Sequence, residues 1–150
     1  VYIVHIVHLV HIIHIVLIVA CVFMIVFPIL NETPDTEKAE KATAVAIEFL
    51  QLVDAGNYAE SWQMSAGLMK ERVTEKDWVE KLTKARALSG ALLERKKKDS
   101  SYSTTAVDSP EGEYISLIFD SRYQQTESVA EYITVMMDEG HWKVAGYFIQ

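Results

Sequence analysis

At 150 residues the chain is long enough for one domain of ordinary size and a terminal appendage. Its formal charge is −7, and residues 1–30 contain no Asp, Glu, Lys or Arg, so the whole of that charge belongs to residues 31–150. An acidic domain repels nucleic-acid phosphates, the basic run Arg95-Lys96-Lys97-Lys98 is too short to reverse the balance, and a lone cysteine, Cys21, excludes an intrachain disulfide and a cysteine-based zinc site.

Val1 to Leu30 is apolar apart from its histidines. As a helix it would run about 45 Å, more than the roughly 30 Å of a bilayer's hydrocarbon core. Ile15 to Phe27 is apolar all round, the pattern of a membrane anchor or signal segment and not of an amphipathic core helix. No Lys or Arg precedes the tract to orient it, and the acidic flank Glu32 to Glu37 has none to hold it in the cytoplasm, which places the C-terminal domain outside. The expectation is a cell-envelope protein, single-pass anchored or exported, that meets the membrane through residues 1–30.

His5, His8, His11 and His14 fall every third residue in a near tripeptide repeat. A step of three turns a helix by about 300°, so the four spread over half the circumference. Ligands for a metal or a proton ladder should converge, so a low-complexity segment is the stronger reading. Ile18-Val19-Ala20-Cys21 loosely fits a lipoprotein signal, but the apolar VFMIVFPIL follows where a polar tether belongs, so the match reads as accidental.

Residues 31–38 form a polar linker and 39–150 a globular domain. Thr33 is the expected N-cap of a first helix, with Pro34 at its first position and Asp35 and Glu37 in its first turn. Ala42, Val45, Ala46, Phe49, Leu50 and Val53 keep the spacing of one buried face, and Gly56 supplies a left-handed stop. Asn57, with Glu60 three residues on, starts a second helix whose face carries Tyr58, Trp62, Ser65 and Met69. Thr74, with Asp77, starts a third, with Trp78, Val79, Leu82, Ala85 and Arg86 on one face and Ser89-Gly90 as its end.

Ala91 to Thr105 reads as a long edge strand studded with lysines, which discourage unwanted pairing. In the next strand Ile115, Leu117 and Phe119 alternate with Tyr114, Ser116, Ile118, Asp120 and Arg122, one face core and the other mostly wet. Val129, Ile133, Val135 and Met137 share a parity in the third strand, and Asp138-Glu139-Gly140 turns into the last. There Trp142, Val144, Gly146 and Phe148 face one way and Lys143, Ala145, Tyr147 and Ile149 the other, with Gly146 marking a bend or bulge. The layout is α+β: three helices packed on a curved four-stranded antiparallel sheet.

The stretches FLQLVDAGNYAESW (Phe49 to Trp62), DWVEKL with RALSGALLERK (Asp77 to Lys96), and PEGEYISLIFDSRY with ITVMMDEGHWKVAGYFI (Pro110 to Ile149) resemble the bacterial envelope family called domain of unknown function 4019. The likeness covers nearly all of residues 39–150. It implies a cystatin-like, nuclear-transport-factor-2-like cone and an envelope location, and it carries no activity over.

The first functional reading is a non-catalytic module that binds a protein partner or small ligand, with a homodimer through the second sheet face, where Tyr114, Ile118, Tyr123, Tyr132 and Tyr147 are expected. Tyr58, Trp62, Trp78, Tyr132 and Trp142 are the side chains able to line a pocket, although aromatics at helical spacing more often fill a core. The second is a cone-fold isomerase or cyclase, for which Asp54, Tyr58, Asp120, Tyr132 and His141 are the available types. Lone ionisable residues without a converging partner are more often solvated. A third is an accessory subunit of a larger envelope assembly. No motif implies a metal or cofactor, and the identity of a ligand is not legible.

Overall fold

The computed structural model describes residues 33–150. The apolar tract, with His5, His8, His11, His14 and Cys21, lies outside the described residues. Among the described residues no helix is long and apolar enough to cross a membrane. Thr33–Gln150 is one compact unit with its own core, the condition for a segment to fold by itself. Among the described residues four helices come first, α1 (Thr36–Asp54), α2 (Tyr58–Gln63), α3 (Gly67–Arg72) and α4 (Glu75–Ser89). Four strands follow, β1 (Leu92–Ser103), β2 (Tyr114–Tyr123), β3 (Val129–Asp138) and β4 (His141–Ile149). They form an antiparallel meander in the order β1-β2-β3-β4, so the α+β layout stands, with four helices in place of three.

Helix α1 begins two residues later than its expected cap. Asp35, not Thr33, is the N-cap, its carboxylate accepting the Glu37 N–H at 3.0 Å. An ionised acceptor at the positive end of a helix outcompetes a hydroxyl, and Pro34 is buried just ahead of it. The apolar stripe buries Ala42, Ala46, Phe49, Leu50 and Val53 as the spacing requires. At the far end Gly56 (φ 80°) donates to the Val53 carbonyl at 3.2 Å and Asn57 to that of Leu52 at 2.8 Å, a Schellman closure. Gly56→Ala should cost about 1–2 kcal/mol although the space around it is open, because the penalty is conformational. A lower urea midpoint at unchanged m-value checks it.

The expected second helix is two. Asn57 stands at the N-cap of α2 but makes no side-chain cap bond. The break falls at Ala66, which is extended (φ −62°, ψ 155°) and donates its N–H to the Val144 carbonyl of β4 at 2.8 Å. A donor committed to a strand cannot continue a helical ladder, so the chain restarts at Gly67, whose N–H meets Asp138 Oδ2 at 3.1 Å. Helix α4 follows its sequence signals: Thr74 accepts from the Asp77 N–H at 3.2 Å, Trp78 and Leu82 are buried, and Gly90 (φ 74°) ends it.

The helices cover one face of the sheet, where Phe49, Leu50, Trp78 and Leu82 meet Ile115, Leu117, Phe119, Ile133, Val135 and Val144. The Glu139-Gly140 hairpin has positive φ at both residues (51° and 79°), the two-residue loop that matches strand twist. In β4 the register shifts opposite Thr134/Val135, which inserts Ala145 as an extra residue. The bulge reverses the facing beyond it. Tyr147 therefore turns into the core against Phe49 and Trp78, and Phe148 turns outward, the reverse of simple alternation. Tyr114 and Ala145 join Ala66 and Met136 in a second, smaller apolar cluster.

Candidate functional site

Alternation along β3 puts Val129, Glu131, Ile133 and Val135 on the buried side, so a glutamate stands in a row of branched apolar residues with 0% of its surface exposed. A carboxylate can be held there only if donors replace its water. Its neighbours supply them. Arg95 of β1 donates through Nε to Oε2 at 2.5 Å and through Nη2 to Oε1 at 3.2 Å. Ser121 of β2 donates to Oε2 at 2.5 Å, while Tyr123 of β2 and Tyr147 of β4 each reach Oε1 at 2.6 Å.

A second carboxylate completes the cluster. Asp54, the last residue of α1, receives Arg95 at 2.6 Å and 3.0 Å and Arg86, from the last turn of α4, at 2.9 Å. The Arg86 guanidinium also lies 4.7 Å above the Tyr123 ring, 3.4 Å from the Tyr147 hydroxyl and 3.8 Å from Glu131 Oε1. Its Nε is buried without a hydrogen-bond partner among the described residues. Two guanidinium groups balance two carboxylates, and the six side chains plus Ser121 come from both long helices and all four strands. The cluster is a joint between the helical layer and every strand of the sheet.

Burial works against the charge on Glu131, but the bonds from Arg95, Ser121, Tyr123 and Tyr147 outweigh it and bring the carboxyl down to about 2. Burial, followed by the bond to the carboxylate, pushes the Tyr123 phenol up to about 12, and burial beside Glu131 raises Tyr147 further. Desolvation opposes ionisation of Arg95, but Asp54 and Glu131 more than offset it and hold its proton more firmly than usual. None of these groups exchanges a proton near neutrality. The two oxygens of Glu131 already accept five bonds, about as many as their lone pairs allow, which leaves none for a substrate proton or a metal. The arrangement holds charge in place.

Tyr147 links this joint to the surface. Its ring helps to line a groove of about 310 Å³ between α3, α4 and β4, together with Met69, Val73 and Trp78, and with Arg72 and Lys81 among the lining residues. Of the side chains expected to line a pocket, Trp78 alone lies in this groove, with its indole N–H on Ser61 Oγ at 3.0 Å. Trp62 donates to the Val73 carbonyl at 2.9 Å, and it, Tyr58 and Trp142 are half-buried against the main core. Tyr132 is on the outer face of the sheet, stacked on Phe148.

The five residues noted for catalysis are spread over the fold. Asp54 is in the ionic joint, Tyr58 on α2, Asp120 exposed 3.5 Å from Lys98, Tyr132 on the outer face, and His141 exposed at the hairpin with Nδ1 3.1 Å from the Glu139 carbonyl. The expected second-face set also divides: Tyr114 and Tyr123 are buried and Tyr147 faces the core, which leaves Ile118 and Tyr132 outside with Phe148. Glu131 and Arg95 are not singled out by the sequence, because each charge alone reads as solvated, whereas Arg86 falls on the apolar face of its helix but its partners are not legible there. One signal was present: Glu131 shares the parity of Val129, Ile133 and Val135, so any register that buries those three buries it too.

A family model described as protein of unknown function (DUF4019) matches residues 45–147, more than half of the chain. The matched span holds Asp54, Arg86, Arg95, Ser121, Tyr123, Glu131 and Tyr147, the whole of the ionic joint. No curated protein matches the chain.

Proposed function

We propose, from the premise that the chain belongs to the family of unknown function DUF4019, that its domain is a non-catalytic interaction module of the cell envelope, a cystatin-like, nuclear-transport-factor-2-like cone anchored or exported through residues 1–30, which pairs with a second copy through the outer face of its sheet. One observation carries the reading: Tyr132 and Phe148 stack on that face with ring centroids 4.6 Å apart and planes 4° apart, and Phe148 is 57% exposed. Ile118 is paired with Tyr132, so an apolar row crosses β2, β3 and β4. Rigid aromatic side chains of this kind form the centres of interfaces. The saturation of Glu131 supports the same reading, since the polar groups of the interior are engaged with one another. The envelope location rests on the uncharged apolar tract and the acidic flank that follows it.

Sedimentation velocity on residues 33–150 tests the self-association. A dimer is expected, with Phe148→Glu weakening it by about tenfold or more at an unchanged melting temperature. A strict monomer across the accessible concentration range would remove the second copy from the proposal.

A further inference from the structure

The two edges of the sheet are not alike. On β1, Glu94 to Asp99 is an unbroken run of charged side chains, and the register with β2 shifts at Leu92/Glu94 and again at Lys97/Asp99. Charges and bulges are what protect an edge from strand addition. On β4, Val144 to Gln150 carries no charge. Ala130 and Gln150 exchange both backbone bonds at 2.9 Å, and this pair sets the phase of the ladder. Phe148 and Gly146 point their backbone groups at β3 in the same way, while Tyr147 and Ile149 point theirs away from it. The edge already takes one partner: the extended Ala66 donates to Val144 at 2.8 Å, on the far side of the bulge. Beyond that single bond, the backbone groups of Tyr147 and Ile149 that point away from β3 have no partner among the described residues, and they lie beside the 310 Å³ groove.

The groove indicates what would lie there. Trp78 and Met69 give it an apolar lining of a size for one large side chain. In a domain with an excess of acidic residues, both charged residues that line it are basic. Arg72 is held there by bonds to the Asp108 carbonyl and to Ser109 Oγ, and Lys81 has no ion pair among the described residues. A second copy's β4, uncharged from Val144 onward, would not complement that lining.

We infer that the free edge of β4 binds an extended acidic segment of another protein as a fifth strand, with one bulky apolar side chain of that segment in the groove against Trp78 and its carboxylates facing Arg72 and Lys81. Backbone bonds to Tyr147 and Ile149 supply affinity, and the groove and its charges supply selectivity. The inference rests on the interaction-module reading and names a partner for the β4 edge and its groove, which adjoin the dimer face at Phe148.

The test is fluorescence anisotropy with a labelled peptide of alternating Glu and Val around a central Phe, titrated with the full chain in detergent micelles and with residues 33–150 in buffer. A Lys-for-Glu counterpart and a copy N-methylated along one backbone edge are run beside it. The acidic peptide should bind at least tenfold more tightly than either. Lys81→Glu should weaken it severalfold. Ile149→Pro should abolish it at an unchanged melting temperature, since that N–H serves no bond to β3. Equal binding of the acidic and basic peptides, binding indifferent to N-methylation, or no binding would overturn the inference. Dimerisation that persists without peptide binding refutes the edge alone, and peptide binding by a strict monomer refutes the dimer face alone.

Discussion

Glu131→Ala is expected to cost about 3–5 kcal/mol, the usual result of removing one partner from a buried charge pair. The loss is large because of what remains: Arg95 keeps Asp54 but loses both bonds to Glu131, and the Tyr123, Tyr147 and Ser121 hydroxyls lose their acceptor inside a closed core. Urea denaturation followed by circular dichroism reads the effect, and unfolding at 37 °C is within its reach for a domain of ordinary stability. Replacing both partners, Glu131→Leu with Arg95→Met, leaves Asp54 paired with Arg86 and should cost clearly less than the two single changes added together. Additive losses would mean that the cluster contributes through packing and not through charge.

The same group makes stability depend on acid. The Glu131 carboxyl titrates lower in the folded chain, near 2, than in the unfolded chain, where it has the ordinary glutamate value of about 4.3. Its contribution is therefore complete above that ordinary value and is lost as pH falls through about 2. Linkage puts it at roughly 3 kcal/mol, of the same order as the expected cost of the mutation. Urea midpoints measured at neutral pH and at steps between pH 5 and 2 should fall steeply for the parent chain and more shallowly for Glu131→Gln. Parallel curves would remove Glu131 from the acid transition.

Phe49→Ala is expected to cost a further 3–5 kcal/mol by a different route, the transfer of a buried ring plus the cavity it leaves. Phe49 is fully buried, with ring centroids 5.9 Å from Trp78 and 5.8 Å from Tyr147, so its loss deprives two aromatic partners at once. Phe49→Leu keeps most of the volume and should cost much less, of the order of 1 kcal/mol. The position also tests how the apolar core and the ionic joint are coupled. Tyr147 is braced by Phe49 on one side and bonded to Glu131 through its hydroxyl on the other, so a looser ring should weaken that bond. Phe49→Ala should therefore shift acid unfolding to higher pH as well as lower the midpoint at neutrality. An unchanged acid transition would show the two parts to be independent.

Much of the architecture was legible residue by residue. Thr74 caps α4 with its own side chain, Gly56 and Gly90 take the left-handed turns that end helices, and Glu139-Gly140 closes the last hairpin. The alternation in β2 assigns Ile115, Leu117 and Phe119 to the core, and the stripe of α1 assigns Ala42, Ala46, Phe49, Leu50 and Val53. These signals act over a few residues, through backbone conformation and periodic burial, so they can be read without knowing what lies opposite. The family was legible on the same basis, as a set of such packing stretches.

The parts that bear on function were decided elsewhere in the chain. Ala66 breaks a helix because a strand far downstream needs its N–H, and the bulge at Ala145 sends Tyr147 into the core and leaves Phe148 outside. Arg95 belongs, by its neighbours, to a solvated basic run, yet it lies in the interior because Asp54 and Glu131 converge on it from another helix and another strand. Composition and periodicity therefore determined by themselves that this is an α+β domain with a given core and given turns, since those depend on local geometry and on which faces must leave water. Whether a charge is buried or solvated, and which side of an edge strand is open, depends on partners distant in sequence. Those facts were decided only when the tertiary structure brought the partners together.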